Sequence, residues 1–94
     1  MTQLKRFMIE RDIPGVGGMS NVELCGAART SNQALEKIGP SVQWQHSYVS
    51  GDKTFCVYLA ADEAAIRQHA ELSGFPANKI TEIPGIIDPT TANA

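Results

Sequence analysis

The sequence is poor in cysteine, and this limits how the fold can be held together. It has two cysteines, Cys25 and Cys56, which fall in different predicted elements and form no Cys-x-x-Cys pair. Two cysteines are too few for a disulfide framework. The chain must therefore be stabilised by its hydrophobic core.

Clustered charge and long hydrophobic runs are also missing. Eight basic and ten acidic residues give a net charge of −2, and the basic residues are scattered along the chain. This pattern argues against nucleic acid and against an anionic membrane surface as partners. No apolar run approaches the roughly 20 residues of a transmembrane helix, and no signal-peptide core follows the first residues. We therefore expect a cytoplasmic protein.

The length of 94 residues predicts a single domain spanning residues 1–94. A chain of this size buries only a modest core, so dimerisation is an available way to bury more surface. The segment 88–94 is expected to be a flexible tail or an arm that reaches a partner subunit.

The first half of the chain predicts a strand followed by a helix. Phe7 and Ile9 alternate with polar neighbours from Leu4 to Ile13, as in a half-buried strand. Ser20 with Glu23 three residues later forms a capping-box pattern, so a helix is expected to start near Ser20 and to end at Gly39-Pro40.

A hairpin that holds the only Trp, both Tyr, one His and one Cys of the chain is predicted from Val42 to Tyr58. Trp44, His46 and Tyr48 alternate with polar residues, and Ser50-Gly51-Asp52 supplies a turn before a second β-rich run. A two-residue loop would oppose Tyr48 to Phe55, His46 to Val57 and Trp44 to Leu59, with the apolar half of both strands on one buried side. A three-residue loop would instead pair Tyr48 with Cys56.

The last third predicts a second helix and a fourth strand. The helix is expected to begin near Asp62-Glu63 and to stop at Gly74, with His69 on its inward face, and a strand follows from Lys79. The order β-α-β-β-α-β fits an α+β ferredoxin-like fold, a four-stranded antiparallel sheet with two helices on one face. The other sheet face would be open and would carry Arg6, Met8, Glu10, Cys56 and Tyr58. Its partly apolar character predicts a homodimer.

Five segments of the sequence carry a family resemblance, namely Phe7–Gly15, Trp44–Tyr48, Cys56–Tyr58, Ile66–Ala70 and Gly74–Asn78. They resemble a small bacterial family of nickel-binding proteins with a dimeric ferredoxin-like fold, long labelled a domain of unknown function. The resemblance implies binding of a nickel ion, but it fixes no physiological reaction.

The two histidines are the natural candidates for such a metal site, because imidazole suits nickel, copper and zinc ions. His46 lies in a predicted strand and His69 on the helix that must cross it, so the two rings are expected to converge. Further ligands, or groups that orient the ligands, would be Glu10, Asp12, Tyr48 and Cys56. On this hypothesis the protein sequesters or senses a metal ion without turnover.

An enzyme is the alternative. Cys56 would be a thiolate nucleophile activated by His46 and oriented through Glu10. Trp44, Tyr48 and Tyr58 would line a pocket for an organic molecule, as in small dimeric α+β barrels that include oxygenases and isomerases.

Overall fold

The computed structural model describes residues 3–93 and shows one four-stranded antiparallel sheet with the strand order β2-β3-β1-β4. With two helices packed on it, this is the predicted α+β ferredoxin-like fold. Two short 3-10 helices, Val16–Gly18 and Pro89–Asn93, complete the secondary structure of the described residues. The main elements are β1 (Lys5–Asp12), α1 (Asn21–Ile38), β2 (Val42–Val49), β3 (Lys53–Ala60), α2 (Glu63–Ser73) and β4 (Lys79–Ile83).

Local signals set the ends of both helices. The Ser20 hydroxyl accepts a hydrogen bond from the backbone N–H of Glu23, and the Glu23 carboxylate accepts one from the backbone N–H of Ser20, which is the predicted capping box. Asp62 caps α2 by accepting from the N–H of Ala65. Gly74 ends α2 with φ of +79°, a left-handed conformation that glycine adopts without a steric penalty.

The core lies between the two helices and one face of the sheet, called here the helix face. Ile9 is fully buried in the centre of β1, and Ile66 comes down onto it from α2. Burying a side chain of this size stabilises the fold by about 1.5–3 kcal/mol. The core cluster consists of Phe7, Ile9, Val42, Cys56, Tyr58, Ala60 and Ile66.

The pairing of β1 with β3 corrects one prediction. Phe7 is opposite Tyr58 and Ile9 is opposite Cys56, so Cys56 and Tyr58 lie on the helix face and not on the open face. The sequence could not decide this, because both alternating sets of side chains in β3 are largely apolar. The other side of the sheet, called the open face, carries Arg6, Met8, Glu10, Phe55, Val57 and Leu59.

A β-bulge divides β2 at Gln45. The two-residue loop pairs Tyr48 with Phe55 and His46 with Val57 as predicted, but Trp44 then pairs with Tyr58 and not with Leu59. The extra residue reverses which way the following side chains point. Trp44 therefore lies on the helix face, whereas His46 and Tyr48 lie on the open face, which corrects the expectation that these three residues share one buried side.

The loop after β1 is clasped to the turn of the β2–β3 hairpin. The N–H of Gly17 donates to the carbonyl of Gly51 at 2.9 Å, and the N–H of Gly15 donates to the Asp52 carboxylate, also at 2.9 Å. At Gly17 the approach is so close that an added Cβ would stand 2.5 Å from the carbonyl oxygen of Ser50. The clasp fixes one end of the helix face.

The chain after β4 is exposed. β4 ends at Ile83, before Pro84, and the 3-10 helix Pro89–Asn93 follows. Ile86 is 66% exposed and Ile87 is 85% exposed. The predicted tail or arm over 88–94 corresponds to this segment, except that Ala94 is outside the described residues. Within residues 3–93 no helix has both the length and the hydropathy needed to cross a membrane.

Candidate functional site

His46 is the solvent-accessible histidine of the open face. It pairs with Val57, which lies on the open face, and its Nε2 atom lies 3.2 Å from the hydroxyl oxygen of Tyr48. The two rings meet edge to face, with their centroids 5.1 Å apart, and Tyr48 is 59% exposed. An imidazole and a phenol oxygen thus lie together at the surface.

The predicted carboxylates belong to the same face but are already paired with lysines. Glu10 lies 3.6 Å from the amino group of Lys53 and 3.9 Å from that of Lys79. Asp12 shares Lys53 at 3.4 Å. Phe55 of β3 is paired with Glu10 on one side and with Tyr48 on the other. It therefore separates the acidic residues of β1 from the His46–Tyr48 pair of β2.

His69 is on the opposite side of the sheet, and the prediction that the two histidines converge is wrong. His69 is fully buried on α2, and its Nε2 atom lies 3.2 Å from the hydroxyl oxygen of Ser31. Burial, followed by the nearby charge of Arg11, lowers the pKa of His69 below its ordinary value of 6.5. The prediction failed because His46 pairs with Val57, and the register of β3 with β1 puts Val57 on the open face, away from the helices.

Cys56 also lies away from His46. It is buried on the helix face, where its sulfur atom is 3.5 Å from the hydroxyl oxygen of Thr54. A Cys56 thiolate activated by His46 and oriented by Glu10 is therefore wrong, because the sheet separates the thiol from the other two groups. The cysteine acts as a small apolar core residue.

A second notable feature, which the sequence analysis missed, is a pocket on the helix face beside Arg11. The pocket has a volume of about 260 Å³ and an apolar lining that includes Val16, Leu24, Trp44 and Phe75. Arg11 itself is only 2% exposed. The sequence did contain a signal, because Arg11 continues the buried alternation of Phe7 and Ile9 in β1.

The geometry within one chain does not complete a metal site. Among residues 3–93, no three His, Cys, Asp or Glu side chains lie close enough together to hold one ion. The open face does offer an accessible imidazole, the ligand type that suits nickel, with an oxygen atom beside it. The residues present thus fit part of a coordination shell.

The fold and this surface define a small α+β ferredoxin-like protein whose open sheet face carries an exposed imidazole beside a phenol hydroxyl. The sequence profile of the family described as "Nickel responsive protein SCO4226-like" matches residues 7–83. The chain therefore belongs to the SCO4226-like family of nickel responsive proteins.

Comparison with solved structures finds the same fold in the crystal structure of SCO4226 from Streptomyces coelicolor A3(2). The TM-score is 0.71 at 21% sequence identity, and the match covers 87% of this chain and 99% of the other. A search of curated protein sequences gave no significant match.

Proposed function

We propose that this protein binds Ni(II) on the open face as a homodimer, and that it sequesters or senses the ion without turnover. The observation that carries the proposal is the exposed imidazole of His46, with its Nε2 atom 3.2 Å from the Tyr48 hydroxyl. Membership of a family described as nickel responsive supports the choice of metal. Zn(II) and Cu(II) are the competing ions, since imidazole suits them too.

A second copy of the chain would supply the donors that one chain lacks. A two-fold axis presents the same surface twice, so a site near the axis receives each donor from both subunits. His46 from each subunit would then contribute nitrogen, with Tyr48 or Glu10 oxygen atoms near it. Glu10 would have to exchange its lysine partners for the ion, which makes it the weaker candidate.

The composition of the open face supports dimer formation. Its central residues Met8, Phe55, Val57 and Leu59 are apolar. Tyr48 lies beside them, and its side chain is 59% exposed. Opposite charges flank this row, with Arg6 at one end and Glu10 at the other. A surface that is apolar in the middle and carries both charge signs can be complementary to itself.

The two histidines make a matched pair for the test. In His46→Gln, Ni(II) affinity should fall at least 10- to 100-fold, because an amide is a poor nitrogen donor. Its apo form should unfold at the wild-type temperature, since His46 is exposed. In His69→Gln, Ni(II) affinity should be unchanged while the unfolding temperature falls, because a buried ring is lost. Calorimetry with Ni(II) on tag-free protein, together with thermal unfolding of each apo form, measures both effects.

The proposal also predicts that Ni(II) binding weakens as the pH falls through the range in which imidazoles take up a proton, since a protonated ring has no lone pair to give. Equal Ni(II) affinity in wild type and His46→Gln would refute the site. Absence of any heat with Ni(II), Zn(II) or Cu(II) would refute metal binding altogether.

A further inference from the structure

The pocket on the helix face is a preformed space between the sheet and the first half of α1. Its lining is mostly apolar, and it is partly open to solvent. Leu24 and Ala28 line it from α1, and Val16 and Met19 come from the loop before the helix. Trp44 and Val49 close it from β2. Such a pocket suits a small ligand with an apolar body.

Arg11 brings a positive charge into this apolar space, and no carboxylate within residues 3–93 forms an ion pair with it. Its Nη1 atom donates to the carbonyl oxygen of Pro76 at 2.8 Å, whereas its buried Nη2 atom has no hydrogen-bond partner within residues 3–93. The ion pairs among these residues do not include Arg11. A buried charge that lacks a partner is strongly unfavourable, so a bound anion would offset the cost of burying this guanidinium.

Aromatic rings hold the guanidinium in place. Its Cζ atom lies 5.8 Å from the centroid of Tyr58 and 6.0 Å from that of Phe75. These contacts offset part of the cost of burial, but they leave the Nη2 atom without a hydrogen-bond acceptor within residues 3–93. The unpaired N–H groups are therefore held ready for an acceptor.

Two hydroxyl groups add polar contacts to the same wall. Ser31 and Tyr58 both line the pocket, with their oxygen atoms 3.4 Å apart. Burial raises the pKa of Tyr58 above its ordinary value of 10.0, so its hydroxyl keeps its proton at neutral pH. A phenol that stays protonated and a guanidinium are both hydrogen-bond donors, and a carboxylate accepts from both.

We propose that this pocket binds a small monocarboxylic acid with an apolar body, with its carboxylate on Arg11 and its hydrocarbon part among Val16, Leu24 and Trp44. A carboxylate accepts charge-assisted hydrogen bonds from a guanidinium, and these are stronger than the hydrogen bonds that a neutral acceptor would form with it. The site is independent of nickel binding, because the sheet separates it from His46.

Trp44 allows the proposal to be tested directly. It is the sole tryptophan of the chain and it lines the pocket, so its fluorescence reports on occupancy. Tag-free protein in EDTA is titrated with octanoate and, separately, with octanamide, which has the same chain and no charge. Octanoate should bind at least tenfold more tightly than octanamide.

Three variants separate a binding role from a structural one. Arg11→Met should remove the preference for octanoate and leave the apo protein as stable as wild type or more so. Arg29→Met, at an exposed position of α1 that does not line the pocket, should leave octanoate binding unchanged and serves as the control. Ala28→Leu should fill the pocket and abolish the Trp44 response while Arg11 remains in place.

The outcomes that would overturn the proposal are distinct. Equal affinity of wild type for octanoate and octanamide, or no response to either, would show that Arg11 recognises no carboxylate. If Arg11→Met does not fold, the guanidinium is needed to hold the Pro76 segment, and Ala28→Leu decides alone: unchanged octanoate binding in that variant would refute the pocket as the site.

Discussion

Arg11 and His69 are side chains that water would normally surround, yet both lie in the interior beside Tyr58. The ring centroid of His69 is 5.2 Å from that of Tyr58, and the guanidinium of Arg11 lies over the same phenol. With one cation already buried, a second would be repelled and poorly solvated. The neutral form of His69 is therefore part of the folded state.

The stability of the fold should thus depend on pH through His69. Burial and Arg11 lower its pKa, so the folded ring stays neutral where the ring of the unfolded chain, near its ordinary 6.5, has taken up a proton. The unfolded state then binds more protons, and the free energy of unfolding decreases as pH falls. This contribution is complete above pH 6.5 and is lost as the pH falls through the lowered value.

Urea unfolding between pH 7.5 and 5 measures this decrease. His69→Gln should flatten it, whereas the exposed His46→Gln should retain it. Glu23 and Asp88, whose pKa values are lowered by hydrogen bonds from Ser20 and Thr90, lose their contributions only below 4.5 and 3.8, outside this range. An undiminished slope in His69→Gln would place the responsible group elsewhere.

For single residues, the sequence predicted positions that depend on local periodicity but not contacts between distant segments. His69 was correctly placed on the inward face of α2, because helical periodicity is a local property. Its partners Ser31 and Tyr58 come from α1 and β3, and no local pattern predicts such a meeting. Arg11 does carry a local signal, because it is a charged residue at a strand position that the alternation of β1 predicts to be buried.

At the scale of elements, the loop after β1 and the hairpin turn form one clasp. The N–H of Ile13 donates to the carbonyl of Asp52 at 3.0 Å, which adds to the contacts of Gly15 and Gly17 with the same turn. Val16 is buried between them and also lines the pocket. The clasp therefore sets the width of one end of the pocket.

Gly17→Ala should destabilise the protein by about 1–3 kcal/mol, the usual cost of forcing an added group into a packed site. The new Cβ would meet backbone atoms of Ser50 and Gly51, which cannot rotate away as a side chain would. Gly18→Ala is the matched control, because nothing lies within 4 Å of a Cβ at that position. Chemical denaturation of both variants checks the difference. Equal stability would show that the clasp yields without cost.

The helices and the hairpin could be predicted because their signals are local, and the sequence placed the capping box and both helix stops correctly. The bulge could not be predicted. Trp44, His46 and Tyr48 alternate as well as any regular strand does, and only the pairing with β3 shows that one residue is extra. The side of the sheet on which each of these residues lies was thus decided by long-range contacts.

At the scale of the whole molecule, the element order was enough to predict the fold, because few topologies accommodate β-α-β-β-α-β in a short chain. The number of subunits stays a prediction. Both helices cover the same sheet face, and the open face carries the half-buried side chains of Met8, Phe55 and Leu59 together with Val57, which is 7% exposed.

Light scattering at micromolar concentration should return about twice the chain mass of 10.1 kDa. Phe55→Lys is the direct test of the interface, because Phe55 lies on the open face, is only half-buried in one chain, and pairs with both Glu10 and Tyr48. A buried charge there should give monomers that remain folded. Lys at the exposed helix position Val22 is the control and should leave the mass unchanged. A wild-type mass near that of one chain would refute the dimer.

The bulge at Gln45 also bears on how this protein can change over evolutionary time. Substitutions at His46 and Tyr48 alter the open face alone, and substitutions at Trp44 and Ser47 alter the helix face alone. Loss of one residue at Gln45 would instead turn half of β2 over and exchange the chemistry of both sides in a single step. Relatives that keep both surfaces are therefore expected to vary in the side chains of this strand but to conserve its length.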